Sequence, residues 1–166
     1  MRTTWNPSEL RLKGDALAIA SIEVAVLASE LAAEESLDPV PLLALRDGKR
    51  GKYPVDARLM LRPASEDDSG FLGIQVQVAL NNVQGTDYPY LYCVVIGKQG
   101  FELPQARRGS IVYERGSGDD VEYLVVRQHA DKRGGWHTEA TDIMHIVRTA
   151  VEEGLEAWRR NRGGGA

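Results

Sequence analysis

The reading of the fold turns on Ile74-Gln75-Val76-Gln77-Val78-Ala79-Leu80 and, shortly after it, Tyr88-Pro89-Tyr90-Leu91-Tyr92-Cys93-Val94-Val95-Ile96. In the first segment Ile74, Val76, Val78 and Leu80 alternate with Gln75, Gln77 and Ala79, the two-residue period of a strand with one buried and one wetter face. In the second, Tyr90, Tyr92, Val94 and Ile96 interleave with Leu91, Cys93 and Val95. Both faces are apolar, which predicts a central strand covered on both sides. Upstream, Val55, Ala57, Leu59 and Leu61 alternate with Asp56, Arg58, Met60 and Arg62, and an acidic turn at residues 65–70 separates that strand from the next. Downstream, residues 110–114 and 121–129 flank Gly116-Ser117-Gly118-Asp119-Asp120 and read as a hairpin.

Helical patterns bracket these strands. Residues 8–36 are rich in alanine, leucine and glutamate, and Leu17, Ala20, Val24, Leu27 and Leu31 fall on one stripe. Ile19, Ile22 and Val26 occupy the opposite side, so this helix is expected to need partners on two sides. Pro39 and Pro41 are expected to stop it, with a basic, glycine-containing turn over residues 46–52. At the other end Thr138 is a natural N-cap, with Glu139 and Asp142 in the first turn where carboxylates suit the helix dipole. Ile143, Ile146, Val147, Ala150, Val151, Leu155 and Trp158 then form an apolar stripe. Gly154 costs about 1 kcal/mol relative to alanine inside a helix and predicts a kinked or loosely held second half.

The expected fold is therefore α+β: an N-terminal helix, about five mostly antiparallel strands and a C-terminal helix in a two-layer sandwich. Residues 1–162 read as a single domain and residues 163–166 as a flexible glycine-rich tail. A formal net charge of -4 and a pI near 5.4 repel a phosphate backbone, so nucleic acid is not an expected partner. The apolar run at residues 16–28 contains Glu23 and is too short to span a bilayer, which argues against membrane insertion and secretion. The lone cysteine requires no oxidising compartment, and a cytoplasmic protein is expected.

The chemistry-bearing residues are sparse. His129, His137 and His145 are all the histidines of the chain, and with Asp142 they form a candidate divalent-metal set, because imidazole and carboxylate are the ligands such ions use. No closed motif such as His-Glu-x-x-His is present, and surface or capping roles account for the same residues. Cys93, between Tyr92 and Val94, reads as a small buried hydrophobe rather than a nucleophile. Gly48-Lys49-Arg50-Gly51-Lys52 lacks the rest of a phosphate-binding loop and reads as an exposed turn. Tyr88, Tyr90 and Tyr92 either pack the sheet or line a pocket, and Arg58, Arg62, Gln75 and Gln77 are candidates for the polar wall of a small-molecule site between sheet and helices.

The order of elements is similar to that of several unrelated families, among them secretion chaperones and the ubiquitin-conjugating and RWD folds. Residues 71–89, running into Tyr88-Pro89, resemble the strand-then-Tyr-Pro step of the last group. No cysteine follows where a conjugating enzyme needs one, so the resemblance implies a non-catalytic binding module. The leading expectation is accordingly a non-enzymatic, chaperone-like or protein-interaction module acting as a homodimer or with another protein. Its expected surface is Ile19, Ile22, Val26 and Trp136, and it needs no cofactor. A metal-dependent enzyme or sensor built on the histidines is the alternative, followed by a small-molecule-binding domain.

Overall fold

The computed structural model describes residues 37–49, 51–65, 67–105, 109–129 and 140–163, together with Arg11 and Asp15, both helical. The rest of the segment 8–36, expected to be helical, lies outside the described residues. Among the described residues six strands form one sheet: β1 Leu37–Gly48, β2 Gly51–Pro63, β3 Phe71–Val83, β4 Thr86–Lys98, β5 Ile111–Ser117 and β6 Val121–Gln128. Their order is β1-β2-β3-β4-β6-β5, and every neighbouring pair is antiparallel. Helix α1, Ala140–Gly163, packs against β3, β4 and β6. The chain is thus mixed α+β with an antiparallel sheet.

The strand beyond the expected five is β1, and its prolines hid it. Pro39 and Pro41 lie within β1, paired with Leu61 and Leu59, rather than in coil after a helix. An edge strand tolerates proline wherever the missing N–H would have faced outward. Two prolines spaced by two residues leave the intervening amides free to bond to β2. The basic turn expected over residues 46–52 is the end of this hairpin, where Gly48 pairs with Gly51.

The core lies between α1 and one face of the sheet. Cross-strand pairs Leu61 with Ile74, Ile74 with Val95, Val76 with Cys93, and Val95 with Leu124 place these side chains on a common face, and all of them are buried. From α1, Ile143, Ile146, Val147, Ala150, Val151, Leu155 and Trp158 close over them, as the apolar stripe predicts. Each large aliphatic side chain buried this way contributes about 1.5–3 kcal/mol. As expected, β4 is central, flanked by β3 and β6. The connection leaving β4 buries Phe101, Leu103 and Pro104, passes β6, and delivers the chain to the far edge as β5. Arg115 donates to the Pro104 carbonyl at 2.6 Å and fixes this crossover to β5.

Gly154 does not loosen α1, which continues to Gly163. A Cβ at this position would stand 2.7 Å from Ile74 Cδ1, so the glycine lets the helix axis approach the sheet. Gly154→Ala is therefore expected to destabilise despite its better helix propensity, by about 1–2 kcal/mol of overpacking. Ile74→Val removes the obstructing methyl, so denaturant titrations should show Gly154→Ala costing less on an Ile74→Val background than on the wild type.

Two features of the connectivity shape the surface. β2 joins β3 through only three pairs, Leu59 with Val76, Met60 with Gln75 and Leu61 with Ile74. Beyond them, residues 42–58 form a two-stranded arm whose strands have no ladder partner except each other among the described residues. At the opposite end of the sheet, the Lys98 amide donates to Gly70 O at 2.8 Å and the Gln99 amide to Asp120 O at 3.1 Å. These bonds gather the β2–β3, β4–β5 and β5–β6 connections into one cluster.

Candidate functional site

The sheet face turned away from α1 carries the residues that alternate with the core. Gln75 pairs with Val94, Gln77 with Tyr92, Ala79 with Tyr90, Tyr92 with Arg127, and Glu114 with Val125. Residues paired across a ladder point to the same side, so two glutamines, two tyrosines, an arginine and a glutamate share one surface. Tyr90, Tyr92 and the Arg127–Glu114 pair, with Ala79, Leu80 and Val125, line an open cleft of about 460 Å³ on this surface.

Its groups hold one another in place. The Tyr90 and Tyr92 rings stack with centroids 5.8 Å apart and planes 27° from parallel. The Tyr92 hydroxyl donates to Gln77 Oε1 at 2.7 Å, and the Gln77 amide donates in turn to Gln75 Oε1. Across the cleft, Arg127 Nη2 donates to Glu114 Oε1, and Nη1 donates to the Gln128 carbonyl at 3.3 Å. The Arg127 hydrogen bond, with its positive charge, holds the Glu114 carboxyl below the usual range, and the same bond raises Arg127. Burial pushes the Tyr90 phenol up, with the Arg127 guanidinium beside it acting in the opposite direction. A phenol raised in this way stays protonated at neutral pH, so the site presents a neutral aromatic wall beside a fixed ion pair.

Arg58 and Arg62 belong to this outer face by alternation with Leu59 and Leu61. The polar wall expected between sheet and helices is therefore not on the face that α1 covers. α1 covers the aliphatic face instead, because burying the glutamines and arginines there would leave their polar groups without water. Cys93 is fully buried beneath α1, and desolvation pushes its thiol far above the usual range, in keeping with a packing role.

The candidate metal set is only partly placed. His129 is exposed just after β6, its amide donating to Ser110 O at 3.1 Å. Asp142 is half-buried in the first turn of α1, and His145 is exposed on the same helix. His137 lies outside the described residues, as do Trp136, Ile19, Ile22 and Val26 of the expected interaction surface. Among the described residues no three His, Cys, Asp or Glu side chains are grouped to hold a metal ion.

Of the cleft, the sequence pattern singled out the tyrosines and glutamines but missed Arg127 and Glu114. Their pairing depends on the β5–β6 register, in which Ser117 pairs with Glu122 and Val112 with Arg127. The signal was available in principle. Once the hairpin is registered, both residues fall on the side of the sheet that carries Tyr92. No helix is long and apolar enough to cross a membrane among the described residues. In comparison with known proteins, the chain matches no family model, no curated protein and no solved structure.

Proposed function

We propose that the protein is a non-enzymatic interaction module that holds an extended segment of a partner protein in the outer-face cleft. The observation that carries this reading is the stacked Tyr90–Tyr92 pair facing the Arg127–Glu114 ion pair across an open trough. Tyrosine offers a large, stiff contact surface at low entropic cost, which is why it is favoured where one protein grips another. The titratable groups favour binding over chemistry. Tyr90 is held protonated and Glu114 is tied to Arg127, so neither is poised to exchange a proton near neutral pH. An open trough suits a chain that enters and leaves along its length, whereas a small molecule is usually gripped in a deeper, enclosing pocket.

The test is selection from a displayed random-peptide library on the immobilised full-length protein, followed by affinity measurement on the enriched peptides. Tyr92→Ala should weaken them about 30-fold, the loss typical of an aromatic anchor. Tyr92→Phe should weaken them far less, because the ring remains while the hydroxyl and its bond to Gln77 are lost. Peptides that bind Tyr92→Ala as tightly as wild type, or no enrichment above an unrelated control protein, would remove the cleft from consideration.

A further inference from the structure

We propose that the β1–β2 arm is a self-association surface, at which a second copy of this chain pairs antiparallel along residues 43–47 of β1. This inference is independent of the cleft. Residues 42–58 extend beyond the last β2–β3 pair, and an isolated two-stranded ribbon is marginally stable in water, so the arm has most to gain from a third strand. Leu43 and Leu45, two residues apart and hence on one face, are 57% and 51% exposed. A long edge strand carrying exposed leucines is the kind of surface that pairs with another chain.

The prolines define which part of the edge is open. Pro39 and Pro41 have no N–H and sit where an N–H would face outward. The register shift between Ala44 and Leu45 places its extra residue, Val55, on β2 and leaves β1 unbroken, so the residues of β1 in step with the prolines, Leu43, Leu45 and Asp47, direct their N–H outward. The pairing of Leu45 with Pro54 agrees, since Pro54 offers no N–H to β1. The first half of the edge is thereby blocked and the second half left competent to bond.

Charge identifies the occupant as a second copy. Residues 46–52 hold four cations and one carboxylate, a net +3, so the rest of a chain of net charge -4 carries -7. The described members of this tip, Arg46, Asp47, Lys49 and Lys52, are all exposed. The connections clustered at the opposite end of the sheet expose Asp68, Asp119 and Asp120, while Asp67 beside them is already paired with Arg162. Antiparallel pairing of two β1 edges about a twofold axis points each basic tip toward the acidic end of the other copy. The contact is self-complementary and closed, which a head-to-tail arrangement of the same patches does not guarantee.

Sedimentation velocity over a wide concentration range, at low and high salt, is the first measurement. A dimer is expected that weakens as salt screens the tips. Leu45→Pro should weaken it about tenfold or more, because the substitution removes an N–H directed away from β2 and so spares the β1–β2 ladder. Lys49→Glu with Lys52→Glu should have a similar effect in low salt, and it tests the same contact if the proline variant fails to fold. A monomer at every concentration overturns the inference, as does a dimer indifferent to both changes. Capture by anionic vesicles that depends on Lys49 and Lys52, without self-association, would assign the arm to a lipid surface and overturn it as well.

Discussion

Replacing Trp158 by alanine is expected to cost about 3–5 kcal/mol of stability, the range for deleting a buried aromatic side chain. The residue is 2% exposed, and its ring stacks on Phe71 with centroids 5.5 Å apart. Phe71 stacks in turn on Phe101 at 5.6 Å, so one aromatic column joins the end of α1, the start of β3 and the crossover that leaves β4. The indole Nε1 donates to Asp67 Oδ2 at 2.7 Å, and the Arg162 guanidinium lies 5.2 Å above the ring and 3.3 Å from the same carboxylate oxygen. Removing the ring leaves a cavity and frees every one of these segments. In a chain of this size the loss should lower the melting temperature by about 10 °C. Trp158→Phe keeps most of the packing and loses the N–H, so it should cost only about 1–2 kcal/mol. A loss below about 1 kcal/mol for the alanine variant in denaturant titrations would mean that the column does not hold α1 to the sheet.

Asp67 gives the same junction a pH signature. Burial raises its pKa, but bonds from the Ser69 hydroxyl and amide and the Trp158 indole, with the charge of Arg162, outweigh burial and leave it lowered. A carboxyl whose pKa is lowered on folding contributes stability above its unfolded value of about 3.9 and loses it as pH falls through the folded value. Acid titration of Asp67→Asn should lack that component.

The alternating segments that became β3 and β4, and the apolar stripe of α1, were legible because hydrophobic period is a local property. The hairpin around residues 116–120 was legible for the same reason. β1 was not, because Pro39 and Pro41 carry opposite meanings in a helix and on a sheet edge, and only the neighbour β2 decides between them. Gly154 was misread as a weakness because helix propensity is local, whereas its approach to Ile74 is a tertiary fact. The cleft falls between these cases. The tyrosines and glutamines announce a shared face, but the insertion of β6 between β4 and β5 brings Arg127 and Glu114 to it, and strand order is not written in any single segment.

Gly73→Val is the second change expected to have a large effect, about 4 kcal/mol from backbone strain and overpacking together. Gly73 follows a register shift in β3 and has φ of 131°, a conformation that a β-branched residue adopts only under strain. A Cβ there would stand 2.3 Å from the Leu61 carbonyl oxygen and 2.9 Å from Met60 Cε. The first obstacle is backbone and cannot rotate away, so β2 must move off β3. With only three pairs holding these strands together, the displacement should unzip the junction rather than bend it. Hydrogen exchange should therefore show a split outcome: protection lost across β2 and the arm, and retained in β4, β6 and α1. If the arm is the self-association surface, the same variant should also weaken the dimer, because a ribbon detached from its sheet no longer presents an ordered edge. Uniform loss of protection through every element would instead mean that the arm and the helix-covered sheet unfold as one cooperative unit. In that case the three-pair junction would be as firm as the rest of the fold.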